Sequence, residues 1–160
     1  MLDPHQQGFA KLVAMIEALE VGMLTTEDEN GRLRSRPMAT QRAEEGALWF
    51  FTGKDTPKTE EVKKAAEVNV SFADPGNQVY VSVSGLAKTF HDPAKVRELW
   101  SSGAQQWFPE GPEDPRLMIL SVEITQAEYW DVDKRAMIQL QDQGAEAAEI
   151  VSATDHKKFS

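Results

Sequence analysis

The sequence predicts a mainly β protein, a β-barrel or sandwich with flanking helices, and three observations predict it. Apolar residues alternate with period two in several short segments. Turn signals such as Asp28-Glu29-Asn30-Gly31 and Asp74-Pro75-Gly76-Asn77 separate those segments at regular intervals. Helical periodicity is confined to a few stretches, three of them opened by an Asp-Pro or Thr-Pro pair.

The first of these stretches runs over residues 4–20. Asp3 serves as N-cap and Pro4 takes the first helical position, where its missing N–H costs nothing. Phe9, Leu12, Val13, Ile16 and Leu19 form one apolar stripe, and Gly22 then breaks the pattern. Met23-Leu24-Thr25-Thr26 makes a strand, Asn30-Gly31 supplies the hairpin turn, and residues 32–42 return. Alternation sets Arg34, Arg36, Met38 and Thr40 on one face of the return strand and Leu33, Ser35, Pro37 and Ala39 on the other. Pro37 has no N–H to donate, so the strand is an edge or carries a bulge there.

The apolar run Leu48-Trp49-Phe50-Phe51 suits a central strand, and Thr56-Pro57 opens a second helix. Strands follow at Val68–Ala73 and Val79–His91, the latter bent at Gly85. Asp92-Pro93 caps a third helix with Val96, Leu99 and Trp100. After a Pro/Gly-rich loop holding Trp107 and Phe108, Arg116–Ile124 forms the last clear strand, with Glu128–Asp131 as its continuation. One domain spanning 1–131 and a C-terminal helical or partly disordered tail, 132–160, is the expected organisation, the tail helix covering Met137–Ala148.

Bulk properties narrow the function. The chain has 160 residues, 41% hydrophobic and 27% charged, as in folded globular proteins. Its 17 Lys+Arg against 26 Asp+Glu leave a net charge of −9, which repels nucleic acid and anionic membranes. No apolar run reaches the ~20 residues of a membrane span, and the N-terminus lacks a signal-peptide pattern. The expected setting is the cytoplasm. With no cysteine there is neither disulfide nor thiolate chemistry, and His5, His91 and His156 lack metal-ligand spacing, so no metal site is expected.

Two basic clusters stand out against the acidic mean. Arg34 and Arg36 leave one strand face together, and guanidinium forks match phosphate oxygens. Thr52-Gly53-Lys54-Asp55-Thr56-Pro57-Lys58-Thr59 spans a strand end and a helix start, where hydroxyls, Lys54 or Lys58 and free backbone N–H groups favour an anion. Taken singly, each cluster reads more readily as a solvated strand face or an ordinary capped helix than as a phosphate site. The Trp107 loop reads as core packing, as a contact between copies, or as a cover for a flat ring.

The order Met23-Leu24-Thr25-Thr26, Arg34-Ser35-Arg36-Pro37-Met38, Leu48–Thr52, Lys58-Thr59 and Val70-Ser71-Phe72 resembles the pyridoxamine 5′-phosphate oxidase-like split-barrel superfamily. Val79–Gly85, Trp100, Trp107-Phe108-Pro109 and Glu128–Asp131 make it similar to the bacterial general stress protein 26 branch, over roughly residues 9–131. The resemblance implies a six-stranded antiparallel split β-barrel of the FMN-binding type, a homodimer with two sites at its interface, and FMN as cofactor, with FAD as the alternative. It places Arg36, with Arg34 nearby, and Lys58 on the phosphate, assisted by Thr59 and Thr52. It brings Ser35, Pro37, Met38, Phe50 and Phe51 toward the ring or ribityl chain, and Gln78 and Trp107 from the second copy. True pyridoxamine phosphate oxidases end in Arg-x-x-Pro, whereas this sequence ends in Asp155-His156-Lys157-Lys158-Phe159-Ser160, so vitamin B6 oxidation itself is not expected. Some members use deazaflavin or haem. A flavin-dependent oxidoreductase of unassigned substrate and catalytic residues is the leading expectation. A flavin-storing or flavin-sensing stress protein, or an interaction module without cofactor, stands beside it.

Overall fold

A computed structural model describes residues 7–44, 46–54, 66–131, 136–141 and 149–151. The elements are α1 (Gln7–Leu19), β1 (Val21–Glu27), β2 (Leu33–Glu44), β3 (Ala47–Gly53), β4 (Ala66–Asp74), β5 (Val79–Phe90), α2 (Pro93–Leu99), a 3-10 turn (Ser102–Gln106), β6 (Leu117–Asp131), β7 (Ala136–Gln141) and β8 (Glu149–Val151). The expected cap at Asp3-Pro4, the helix opened by Thr56-Pro57 and the end Ser152–Ser160 lie outside the described residues.

Local chemistry sets the connections. At the β1–β2 hairpin, Asp28 Oδ1 accepts from the N–H groups of Asn30 and Arg32, both at 2.9 Å, and Gly31 takes φ 77°. Asp92 accepts from the Lys95 N–H at 3.1 Å and starts α2, whose Val96 and Leu99 are buried as expected. The helix α1 ends at Leu19, followed by Glu20 at φ 62°, in agreement with the expected end at residue 20. Gly22 lies within β1, where a Cβ would meet Phe72 and Val70 at 2.7–2.9 Å, so its smallness serves packing.

All pairings are antiparallel, in the order β3-β2-β1-β4-β5-β6, and β3 pairs again with β6. That last ladder, Ala47↔Glu123 through Gly53↔Leu117, closes a six-stranded barrel. Leu24, Phe50, Val70, Val83, Leu120 and Val122 fill the interior, and Phe9, Leu12 and Ile16 of α1 join the same core. A second core lies outside the barrel wall, where Phe51, Leu117 and Ile119 meet Val96 and Leu99 of α2 and Ala104 of the 3-10 turn. β6 is therefore buried on both faces along its first half, which explains its unbroken apolar run.

β5 bends at Gly85 as the sequence predicts, with a register shift between Ser84 and Gly85. Only glycine fits, because a Cβ there would stand 2.2 Å from the Glu123 carbonyl oxygen. Over 136–141 the expected tail helix is replaced by the strand β7, which pairs with Gln126–Asp131 of β6. Once β3 leaves β6 at Glu123, that edge needs a ladder partner, and strand pairing overrides helix propensity. The remainder of that expected helix, 142–148, lies outside the described residues.

Two predictions follow from the core. Gly85→Ala forces a backbone displacement and should destabilise the fold by about 3 kcal/mol, read as a lower urea midpoint. Tyr129 is fully buried and its hydroxyl has no hydrogen-bond partner among the described residues. Burial, aided by the nearby Asp131 charge, pushes the phenol from 10.0 up to about 12. Below pH 10 the phenol is neutral folded and unfolded; above it the unfolded chain ionises first, so stability falls between pH 10 and about 12. Tyr129→Phe should leave stability at pH 7 unchanged or slightly higher and flatten that alkaline loss, measured by urea unfolding at pH 7 and 11.

Candidate functional site

The hairpin register puts Arg36 opposite Leu24 and Arg34 opposite Thr26. Leu24 and Met38 belong to the barrel core, so Arg34, Arg36 and Met38 share the inward-facing side of β2. Met38 is buried, Arg36 half-buried and Arg34 exposed, so the row climbs from the core to the barrel's rim. Arg36 Nη1 donates to Thr26 Oγ1 at 2.6 Å and to the Leu24 carbonyl at 3.4 Å. Thr26 is 1% exposed, and a hydrogen bond of this charge-assisted kind contributes about 1.5–3 kcal/mol. It holds the guanidinium in one orientation at the barrel mouth.

Thr52 follows Phe50 on the inward face of β3 and is also 1% exposed. Its hydroxyl oxygen has no hydrogen-bond partner among the described residues. Lys58 and Thr59 lie outside the described residues, in the twelve-residue segment 54–65 that separates β3 from β4. The pairing of β2 with β3 begins at Thr40, so among the described residues the stretch 33–39 has a strand neighbour, β1, on one side only. Pro37 sits on that one-sided stretch, in keeping with its edge reading, while the bulge falls between Thr40 and Arg42. Ser35 and Pro37 face outward and are exposed.

The aromatic residues divide differently. Phe50 is in the barrel core, and Phe51 is in the outer core, stacked 5.7 Å from Trp100 and edge-on 6.0 Å from Phe108. Both side chains are packing residues in this chain. Gln78 occupies the β4–β5 turn with φ 53°, at the barrel end opposite Thr26. Trp107 is 48% exposed and lines a cleft of about 330 Å³ with Val21, Ala39–Arg42 and Glu17 and Glu20 of the α1 end. A single chain thus brings Arg34, Arg36 and Met38 onto one face of β2, sets Thr52 at the inward end of β3, and leaves Gln78 and Trp107 apart from them.

Sequence reasoning missed Thr26 as the anchor of Arg36 and the Trp107 cleft. The Asn-Gly hairpin register would have found the first, since it fixes which residues face each other. The cleft joins segments far apart in the chain and had no such signal. A further opening of about 470 Å³ lies beside Thr26 where β1 and β4 part, walled by Asn69, Ser84, Thr125 and Gln126. Among the described residues no group of three His, Asp or Glu converges to hold a metal, and no helix is long and apolar enough to cross a membrane.

A closed six-stranded barrel with a one-sided strand carrying a basic row defines a protein of the split-barrel class. The chain belongs to the pyridoxamine 5′-phosphate oxidase-like family, whose model matches residues 7–149. It is 31% identical over 137 residues to Protein bli-3 of Neurospora crassa, covering 79% of this chain and 66% of that relative's length. The structure of a protein related to general stress protein 26, from Clostridium acetobutylicum, superposes with a TM-score of 0.70 at 22% identity, covering 82% of this chain and 92% of the other. A general stress FMN/FAD binding protein from Xanthomonas citri gives 0.65 at 26% identity, covering 88% and 92%.

Proposed function

We propose that this chain binds FMN, with FAD as the alternative, along the one-sided edge of β2 and serves as a flavin-dependent oxidoreductase. The observation that carries the reading is Arg36, oriented by Thr26 at the barrel mouth, in a chain whose inward-facing Thr52 hydroxyl is unpartnered among the described residues. A phosphate there would take the guanidinium of Arg36 with Arg34 nearby, the Thr52 hydroxyl, and Lys58 and Thr59 from the segment after β3. Backbone groups of Ser35–Met38, which no neighbouring strand takes on that side among the described residues, suit the hydrogen-bonding edge of a flavin ring. The similarity to an FMN/FAD binding protein at 26% identity supports the same ligand. When bound, the flavin supplies the hydride or electron transfer; the chain binds and orients it.

The reading includes a homodimer. Gln78 and Trp107, both away from Arg36 within one chain, would complete the site from a second copy. Val21 and Met23 project from β1 at 40% exposure each, and Tyr80 at 37%, an apolar outer face suited to such a contact.

FMN titrated into the protein should give bound-flavin absorption bands, and Arg36→Ala or Lys58→Ala should each weaken binding by about 1.5–3 kcal/mol. Equal affinity in both variants would place the phosphate elsewhere. Anaerobic bleaching of bound flavin by NAD(P)H separates an enzyme from a passive flavin carrier. Sedimentation at micromolar concentration should report twice the mass of the chain; a monomer would remove the shared site.

A further inference from the structure

We infer that a second copy docks on the outer face of β1, β4, β5 and β6, and that Glu128, within that face, enters the contact as the neutral acid, so that association takes up protons. The inference rests on the homodimer reading, which the same measurement tests separately.

The strand registers define the face. Met23 lies opposite Ser71, Ser71 opposite Ser82 and Ser82 opposite Glu128, one row across four strands. The adjoining row, Leu24, Val70, Val83 and Ala127, fills the barrel, so the Glu128 row points outward. On one side of Glu128, Trp130 lies opposite Tyr80, which is exposed together with Val21 and Met23. On the other side, Asn69 Nδ2 donates to Ser82 Oγ at 3.0 Å and to Ser84 Oγ at 3.3 Å. Glu128 thus stands where an apolar patch meets a row of uncharged polar groups.

Glu128 is half-buried, and its Oε2 is closed to solvent with no hydrogen-bond partner among the described residues. Burial already pushes the carboxyl above its ordinary range within one chain. A two-fold contact between identical copies presents the same patch from the other side. That patch offers no cation, because β1, β4, β6 and residues 136–141 of β7 contain neither Lys nor Arg. The single lysine of β5, Lys88, pairs with Ser121 on the other half of β6, and Lys11 of α1 lies over the Tyr129 ring on the opposite side of the sheet. The titratable groups that share the outer face are acids: Glu27 on β1, Glu67 on β4, Glu123 on β6 and the Tyr80 phenol on β5. Asp131 and Tyr129 turn inward, and Asp74 is held by Asn77 in the β4–β5 turn. A carboxylate enclosed between two such faces meets its full desolvation cost, which the neutral acid avoids. As an acid it also carries an O–H, for which the Ser71 and Ser82 hydroxyls are acceptors. A carboxyl whose pKa rises on association leaves the dimer with more protons than two separate copies. The contact is therefore strongest at low pH and weakens as pH rises through the raised value.

The measurement is the dimer dissociation constant by sedimentation between about pH 5 and pH 8, in high salt to screen the general repulsion of two chains at −9. The wild-type constant should rise at least about tenfold over that range, since each linked proton contributes up to about tenfold per pH unit and a dimer takes up two. Glu128→Gln keeps the shape and a hydrogen-bond donor without the charge. It should hold a dimer at the upper pH as tightly as wild type does at the lower, varying less than about threefold between them. A wild-type dimer indifferent to pH overturns the proposal. So does one that tightens as pH rises, which would mean that the contact supplies Glu128 with a cation. A Glu128→Gln dimer that keeps the wild-type pH dependence also overturns it and assigns the protons to Glu27, Glu67 or Glu123. A chain that is monomeric at every pH refutes the homodimer reading and the proton linkage with it; a dimer without the pH response refutes the linkage alone.

Discussion

The ladder between β3 and the first half of β6 is the constraint on which the rest of this structure depends. It joins residues about seventy positions apart and turns an open sheet into a barrel. Without it, the inward rows of Leu48 and Phe50 and of Leu120 and Val122 would have no shared interior. It also buries the opposite face of the same strands, where Phe51, Leu117 and Ile119 meet α2. Two cores thus share one wall, and a defect in that wall is felt on both sides.

The site is a by-product of unequal strand lengths. β3 has seven residues and β2 twelve, so when β3 turns to pair with β6 it leaves the first half of β2 beyond its reach. That half retains β1 as its neighbour, is rigid for that reason, and carries Arg34 and Arg36 on its inner face. Rigidity matters more than charge alone here. An arginine on a mobile loop would lose side-chain entropy on gripping a phosphate, whereas Arg36 is already oriented by Thr26. Pro37, which would damage a two-sided strand, sits on the one-sided stretch.

Much of this was legible locally. The Asn-Gly turn, the Asp92 cap, the bend at Gly85 and the apolar stripe of α1 each express a rule acting within a few residues. The pairing of Arg34 with Arg36 on one strand face follows from alternation alone. Errors arose where distant segments decide. The 136–141 segment is a strand because β6 offers it an edge. Phe50 and Phe51, adjacent in the chain, went to different cores because the closed barrel has an inside and an outside.

By itself, then, the sequence determined a mainly β chain with a basic strand row and a hydroxyl-rich strand end, since periodicity, turn chemistry and charge are properties of neighbouring residues. Tertiary structure alone decided that Arg36 is held by Thr26, that Thr52 ends buried without a partner among the described residues, and that Trp107 shares a cleft with the end of α1. Those relations depend on barrel closure and on the placing of α1 and the 3-10 turn against its wall. Such contacts join residues whose separation in the chain carries no information about their separation in space.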